Sequence, residues 1–134
     1  MEKLIQDKSS YRNNLESKRM NMSEALAECI KAYDEKEFDS AFKLARPLAI
    51  KGEVEAQCLL ASMYHFGLGT SVSGQKAVYW YLKAAKQGYA LAYNNLFCIY
   101  IAGLGEISIN NEKALLYKQE AIKCGFEMLT TLQY

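Results

Sequence analysis

The second half of the chain repeats itself with a period of 36 residues. Residues 56–69 read AQCLLASMYHFGLG and residues 92–105 read AYNNLFCIYIAGLG, with alanine, leucine, tyrosine and Gly-Leu-Gly at matching positions. Two further sets recur at intervals of 36 and 37 residues: Ala41, Ala77 and Ala114, and Gly52, Gly88 and Gly125. A period of this size indicates supersecondary units stacked along one axis, because a single unit cannot bury its own apolar face. The repeat predicts a solenoid.

Apolar residues three and four positions apart predict that each unit is a pair of helices. The predicted helices span 23–33, 38–51, 54–66, 74–87, 90–102 and 110–124. We expect Ser23 to cap the first helix, and we expect Gly52 and its equivalents to end the second helix of each unit. The predicted fold is therefore an all-α solenoid of about three helix-turn-helix repeats, occupying residues 23–134. Residues 1–22 carry a weaker apolar stripe, compatible with a poorly ordered extension or with an N-terminal helix that caps the stack.

The composition argues against several classes of function. The 16 basic and 15 acidic residues leave a net charge of +1 and are spread along the chain, whereas nucleic-acid binding requires a basic surface. No apolar run is long enough to span a membrane. The first twenty residues mix both charges without an apolar segment, so that no signal peptide is predicted and a cytoplasmic location is expected.

Two consecutive motifs resemble a known repeat. The run A-x-x-x-L-A-x-M-Y-x-x-G-x-G from Ala56, followed by K-A-x-x-W-Y-x-K-A-A-x-x-G up to Gly88, is similar to the Sel-one-like repeat, a relative of the tetratricopeptide repeat. Residues 92–125 contain a degraded copy, in which Tyr117 replaces Trp80. The first unit, 23–52, has a shorter turn and looks more like an ordinary tetratricopeptide unit. The resemblance implies a right-handed α-solenoid that acts as an adaptor or scaffold between proteins, and it carries over no catalytic residue.

The resemblance also implies where a partner would bind, because the first helix of each unit lines the concave face in related solenoids. We take Leu60, Ala61 and Tyr64 as core residues of the second unit, with Cys29, Ile30 and Tyr33 as their equivalents in the first. The positions predicted to face the concave side are Glu24, Ala27, Lys31 and Asp34, then Glu55, Cys58, Ser62 and His65, then Leu91, Asn94, Cys98 and Ile101. Asn94 is the first choice for holding a partner's backbone, since its amide both donates and accepts hydrogen bonds.

The reactive side chains have simpler explanations than catalysis. His65 is the single histidine, and we interpret it as a surface residue beside the Gly-Leu-Gly turn instead of a general base. The four cysteines lack the C-x-x-C spacing of a zinc site. Cys29 occupies a core leucine position and is expected to be a small buried hydrophobe. We therefore predict four free thiols, no metal and no cofactor.

These observations favour a non-catalytic module that binds another protein or a peptide. A toxin-neutralising immunity protein and a secretion-system adaptor are alternatives that the residues do not separate. An enzyme is a remote alternative, because one histidine and the absence of a Ser/His/Asp or Cys/His set leave no converging catalytic groups. A homo-oligomer is also possible through the apolar C-terminal edge, which comprises Phe126, Met128, Leu129 and Leu132.

Overall fold

The computed structural model describes residues 21–125, which form three consecutive helix-turn-helix units. The six helices of this part of the chain are α1 (Met22–Asp34), α2 (Phe38–Ile50), α3 (Val54–Phe66), α4 (Gly74–Ala85), α5 (Ala90–Ala102) and α6 (Asn111–Lys123). Each helix packs mainly against the helices before and after it in the chain, and α1 also contacts α3. This sequential packing is that of a solenoid, which confirms the predicted all-α fold.

The predicted helix bounds agree with the structure to within two residues, but the first cap is different. The side chain of Asn21, and not that of Ser23, accepts a hydrogen bond of 2.9 Å from the backbone N–H of Glu24. The N-cap therefore lies two residues earlier than predicted, because asparagine is as good a cap as serine and lies at the required spacing. The predicted N-terminal helix and the apolar C-terminal edge lie outside the described residues, and the division at residue 22 stays a prediction.

Small residues allow the helices to approach closely. Eight alanines of the second helices are buried: Ala41, Ala45, Ala49, Ala77, Ala84, Ala85, Ala114 and Ala121. Larger side chains fill the remaining space, and the most completely buried of them include Leu60, Met63, Tyr81, Leu96 and Ile99. Leu60 and Leu96 are equivalent positions of the 36-residue repeat, so the same residue type occupies the core of two consecutive units.

Neighbouring units also meet through the loop that joins the two helices of a unit. The loop after α5 packs on the start of α4, where the carbonyl of Leu104 lies against Gly74. In the same loop, a carboxylate oxygen of Glu106 accepts a hydrogen bond of 2.6 Å from the backbone N–H of Gln75. This hydrogen bond holds the pKa of Glu106 below its ordinary value. Glu106 thus acts as a capping group for a helix of the preceding unit.

A buried amide links the second and third helices to the end of the fourth. The side chain of Gln57 is 4% exposed, and its Nε2 donates a hydrogen bond of 3.1 Å to the carbonyl of Ala49. Its oxygen accepts from Nε2 of Gln87 at 2.8 Å, and the same Gln87 nitrogen lies 3.1 Å from the carbonyl of Gly52. No other amide side chain and no charged side chain is buried within residues 21–125, so Gln57 is well suited to fixing the position of α3.

We expect the substitution Gln57→Leu to lower the free energy of unfolding by about 1–3 kcal/mol, because it removes two hydrogen bonds and leaves buried polar groups without those partners. The matched control is Gln119→Leu on the exposed side of α6, for which we expect a change within about 0.5 kcal/mol. Urea unfolding of the two variants and the wild type measures both values. Equal stabilities for the two variants would contradict the structural role assigned to Gln57.

Candidate functional site

An open groove of about 290 Å³ crosses α3 between α1 and α5. Its walls are formed by the first helices of all three units and by the residue that precedes α5. The lining residues are Ile30, Tyr33, Glu55, Cys58, Leu59, Ser62, Tyr89, Leu91 and Asn95. Four of them lie on α3 at relative positions 0, +3, +4 and +7, which is the spacing of one continuous stripe on a helix. This set of residues is called the groove below.

The accessible surface of the groove is mainly apolar, with a few polar groups at defined places. Ile30 and Leu91 remain 36% and 43% exposed. The third aliphatic lining residue, Leu59, is half-buried. Glu55 is the single charged residue of the lining. Ser62 donates its hydroxyl hydrogen to the carbonyl of Leu59 at 2.8 Å, within its own helix. An apolar surface with a few placed polar groups is typical of a binding site.

The thiol of Cys58 lines the groove, but it is buried and unreactive at neutral pH. Burial raises its pKa to about 12, with a smaller opposing effect from the hydrogen bond with Asn95. The amide nitrogen of Asn95 lies 3.9 Å from the sulfur and so connects α5 to α3. Because the thiolate is the nucleophile and the metal ligand, a thiol that stays protonated at neutral pH is suited to packing and not to covalent chemistry.

The described residues show neither a metal cluster nor a membrane span. No group of three histidine, cysteine, aspartate or glutamate side chains is arranged to hold a metal ion within residues 21–125. None of the helices in this stretch combines the length and the hydrophobicity needed to cross a membrane. All four cysteines lie in the described part of the chain and are free thiols.

Two of the three helix pairs match a known repeat family. The model of the Sel1 repeat matches residues 54–89 and 90–126, more than half of the chain. The chain belongs to the Sel1 repeat family. Each matched range begins at the first residue of a unit, Val54 of α3 and Ala90 of α5. The two Sel1 repeats are thus the second and third units, while α1 and α2 lie outside the matched ranges.

One solved structure and one curated protein are similar to this chain. A Sel1 repeat protein from Oxalobacter formigenes has a solved structure that superposes with a TM-score of 0.66 and 34% sequence identity, covering 74% of this chain and 39% of that protein. Chitin synthase regulatory factor 3 of Schizosaccharomyces pombe is 35% identical over 82 residues, which are 60% of this chain and 9% of that relative. The chain therefore spans a small fraction of this relative. Sel1 repeats generally serve as protein-interaction modules.

Most of the residues that were predicted to face the concave side and that do line the groove belong to the first Sel1 repeat. Glu55, Cys58 and Ser62 line the groove, as does Leu91 of the second Sel1 repeat. His65 lies away from it: its Nδ1 is 3.2 Å from the hydroxyl of Tyr81, and burial lowers the pKa of its imidazole. His65 therefore packs against α4 as a half-buried residue, where the sequence predicted a surface residue that faces the concave side.

In the second Sel1 repeat, the groove uses Asn95 where the sequence predicted Asn94. The position equivalent to Cys58 one period of 36 residues later is Asn94, whereas the position equivalent to Leu59 is Asn95. The structure shows that α5 faces the groove along the i, i+4 row that starts at Leu91, and Asn94 is not among the lining residues. Cys98 and Ile101 are exposed but do not line the groove. Whether any of these residues contacts a partner stays a prediction.

In the unit before the Sel1 repeats, the expected core residues Ile30 and Tyr33 line the groove instead. The reason is visible in α3, where Tyr64, the equivalent of Tyr33, packs on Phe42 of the preceding unit with ring centroids 5.6 Å apart. Within residues 21–125 no earlier unit covers α1, so these side chains stay accessible. The predicted residues Glu24, Ala27 and Asp34 are exposed outside the groove. Lys31 of α1 lines a different cleft, which α1 forms with α2.

Five lining residues were therefore missed as groove residues: Ile30, Tyr33, Leu59, Tyr89 and Asn95. A detectable signal existed for part of this set. Leu59 follows Glu55 by four residues, as Asn95 follows Leu91, and residues four apart lie on the same face of a helix. The i+4 positions that follow Glu55 and Leu91 are therefore a sequence signal for Leu59 and Asn95.

Proposed function

We propose that the chain is a non-catalytic protein-interaction module that binds a segment of a partner protein in the groove. The observation that carries this proposal is the groove itself, an accessible apolar surface to which all three units contribute residues. Membership of the Sel1 repeat family supports the same function. The relative named as a chitin synthase regulatory factor supports a regulatory or adaptor role, which binding alone can supply.

The chemistry of the groove does not favour a catalytic alternative. An active site needs several titratable groups that converge at hydrogen-bonding distance. In the groove, Glu55 is the single carboxylate, and burial raises the pKa values of both Cys58 and Tyr89 above their ordinary values. Both groups therefore stay protonated at neutral pH, and no base is placed next to a nucleophile.

A charged side chain in the middle of the groove tests the proposal. We expect Ser62→Arg to weaken binding of the partner at least tenfold, roughly 1.4 kcal/mol, because the arginine would occupy the apolar channel beside Leu59. The partner is first captured from cells of the source organism and identified by mass spectrometry. Its affinity for the purified wild type and variants is then measured by isothermal titration calorimetry.

The matched control for this experiment is Ser71→Arg, which places the same side chain on the exposed loop between α3 and α4. Both variants should retain the helical circular dichroism of the wild type. A partner bound equally by the two variants would show that the groove is not the binding site. The roles of immunity protein and secretion-system adaptor, the cytoplasmic location and the homo-oligomer stay predictions, and identification of the partner would decide between the first two.

A further inference from the structure

The first and second helices of the units carry opposite net charges. The first helices, α1, α3 and α5, have a net charge of −3 and the second helices, α2, α4 and α6, have a net charge of +4. The charged residues of the first helices are Glu24, Glu28, Asp34, Glu55 and the single base Lys31. Those of the second helices are Asp39, Glu112, Glu120, Lys43, Arg46, Lys76, Lys83, Lys113, Lys118 and Lys123. The first helices thus carry the negative charge of the nearly neutral chain, and Glu55 is the acid among them that lines the groove.

The local charge in the groove has the same sign. Glu55 is its single charged lining residue, and no lysine or arginine within residues 21–125 forms a salt bridge with it. Its position in the first turn of α3 is favourable because of the helix dipole, but that dipole does not account for the apolar side chains that line the same groove. A carboxylate beside an accessible apolar surface is complementary to a cation carried next to an apolar group.

The size of the groove limits what can occupy it. A volume of about 290 Å³ lies at the lower end of the range for small-molecule sites, and it suits one or two side chains better than the face of a helix. The amide oxygen of Asn95 has no hydrogen-bond donor among the described residues, so it can accept a backbone N–H of a bound segment. The carboxylate of Glu55 would repel a phosphate group.

We propose that the groove binds a protein segment that places one aliphatic side chain between Leu59 and Leu91 and an adjacent lysine or arginine at Glu55. This inference rests on the proposed function and adds the chemistry of the partner. The aliphatic side chain supplies affinity through apolar burial, and the basic residue supplies orientation and selectivity.

Selection from a displayed library of random peptides tests the inference without knowledge of the natural partner. The library is panned on the wild type and on Glu55→Lys. We expect the wild type to enrich peptides with leucine, isoleucine, valine or methionine within two positions of lysine or arginine. Glu55→Lys is expected to enrich aspartate or glutamate at that position instead. The matched control is Glu112→Lys, an exposed acid in the first turn of α6, which should keep the preference of the wild type.

A synthetic peptide from the wild-type selection gives the quantitative test. We expect Glu55→Gln to weaken its binding roughly two- to fivefold at low salt, and the difference to shrink at high salt, because the pair is partly screened by water. The inference would be overturned if the selected peptides were not enriched in lysine or arginine but still bound Ser62→Arg more weakly than the wild type. That result would leave the proposed function standing. Peptides unaffected by both Glu55→Lys and Ser62→Arg would contradict both proposals.

Discussion

Replacing Leu60 by alanine is expected to lower the free energy of unfolding by about 2–5 kcal/mol, because it removes a fully buried side chain and leaves a cavity. Leu60 is fully buried and belongs to the apolar cluster that runs through all three units. Its helix, α3, packs against both α2 and α4. A cavity at this position therefore weakens the contacts that join the first unit to the two Sel1 repeats. Since a domain of this size is stable by about 5–15 kcal/mol, much of the total would be lost.

The adjacent residue provides the control for this prediction. Leu59 precedes Leu60 in the same helix but lies in the groove and is half-buried, so Leu59→Ala should cost clearly less stability than Leu60→Ala. Urea unfolding followed by circular dichroism measures both variants. Similar losses for the two substitutions would mean that the burial difference between them is wrong. The comparison also separates stability from binding, because Leu59→Ala is expected to weaken a partner that uses the groove.

The core could be predicted from the sequence because its signals repeat. Ala41, Ala77 and Ala114 recur once in each unit, and all are buried, since the same close approach of helices is made in every unit. The contact between Lys76 and the ring of Tyr64 also recurs, as Lys113 over Tyr100, with distances of 5.4 and 5.3 Å to the ring centroids. The period of this cation–π pair is visible in the sequence, because Lys76 and Lys113, like Tyr64 and Tyr100, occupy equivalent positions of the repeat.

The groove could be predicted only in part, because its residues do not follow the period. The predicted row placed Asn94 in the groove, whereas the structure places Asn95 there. A step of three residues and a step of four differ by about 100° around a helix axis, and the apolar pattern of α5 does not distinguish them because the helix is hydrophobic on several sides. The bond between Gln57 and Gln87 was also missed, since the position equivalent to Gln57 in the next unit is Tyr93.

The second large effect is expected at the interface between the two Sel1 repeats. An added side-chain carbon at Gly74 would overlap the carbonyl of Leu104 and approach Cγ1 of Ile107 to 2.8 Å. Gly74 has no positive φ, so Gly→Ala at this helical position would ordinarily stabilise a protein by up to about 1 kcal/mol. We expect the opposite sign here, a loss of about 1–3 kcal/mol, because the loop after α5 must move away.

The equivalent position in the last unit supplies the control, because Asn111 is the first residue of α6 as Gly74 is of α4. Asn111 is exposed, and within the described residues no loop of a following unit packs on it. Asn111→Ala should therefore change stability by less than about 0.5 kcal/mol. A second readout is specific to the interface: displacement of the loop in Gly74→Ala breaks the hydrogen bond from Gln75 to Glu106, so the lowered pKa of Glu106 should rise towards its ordinary value in a carboxyl NMR titration. A stabilised Gly74→Ala variant with an unchanged Glu106 titration would show that the two Sel1 repeats do not meet at this glycine.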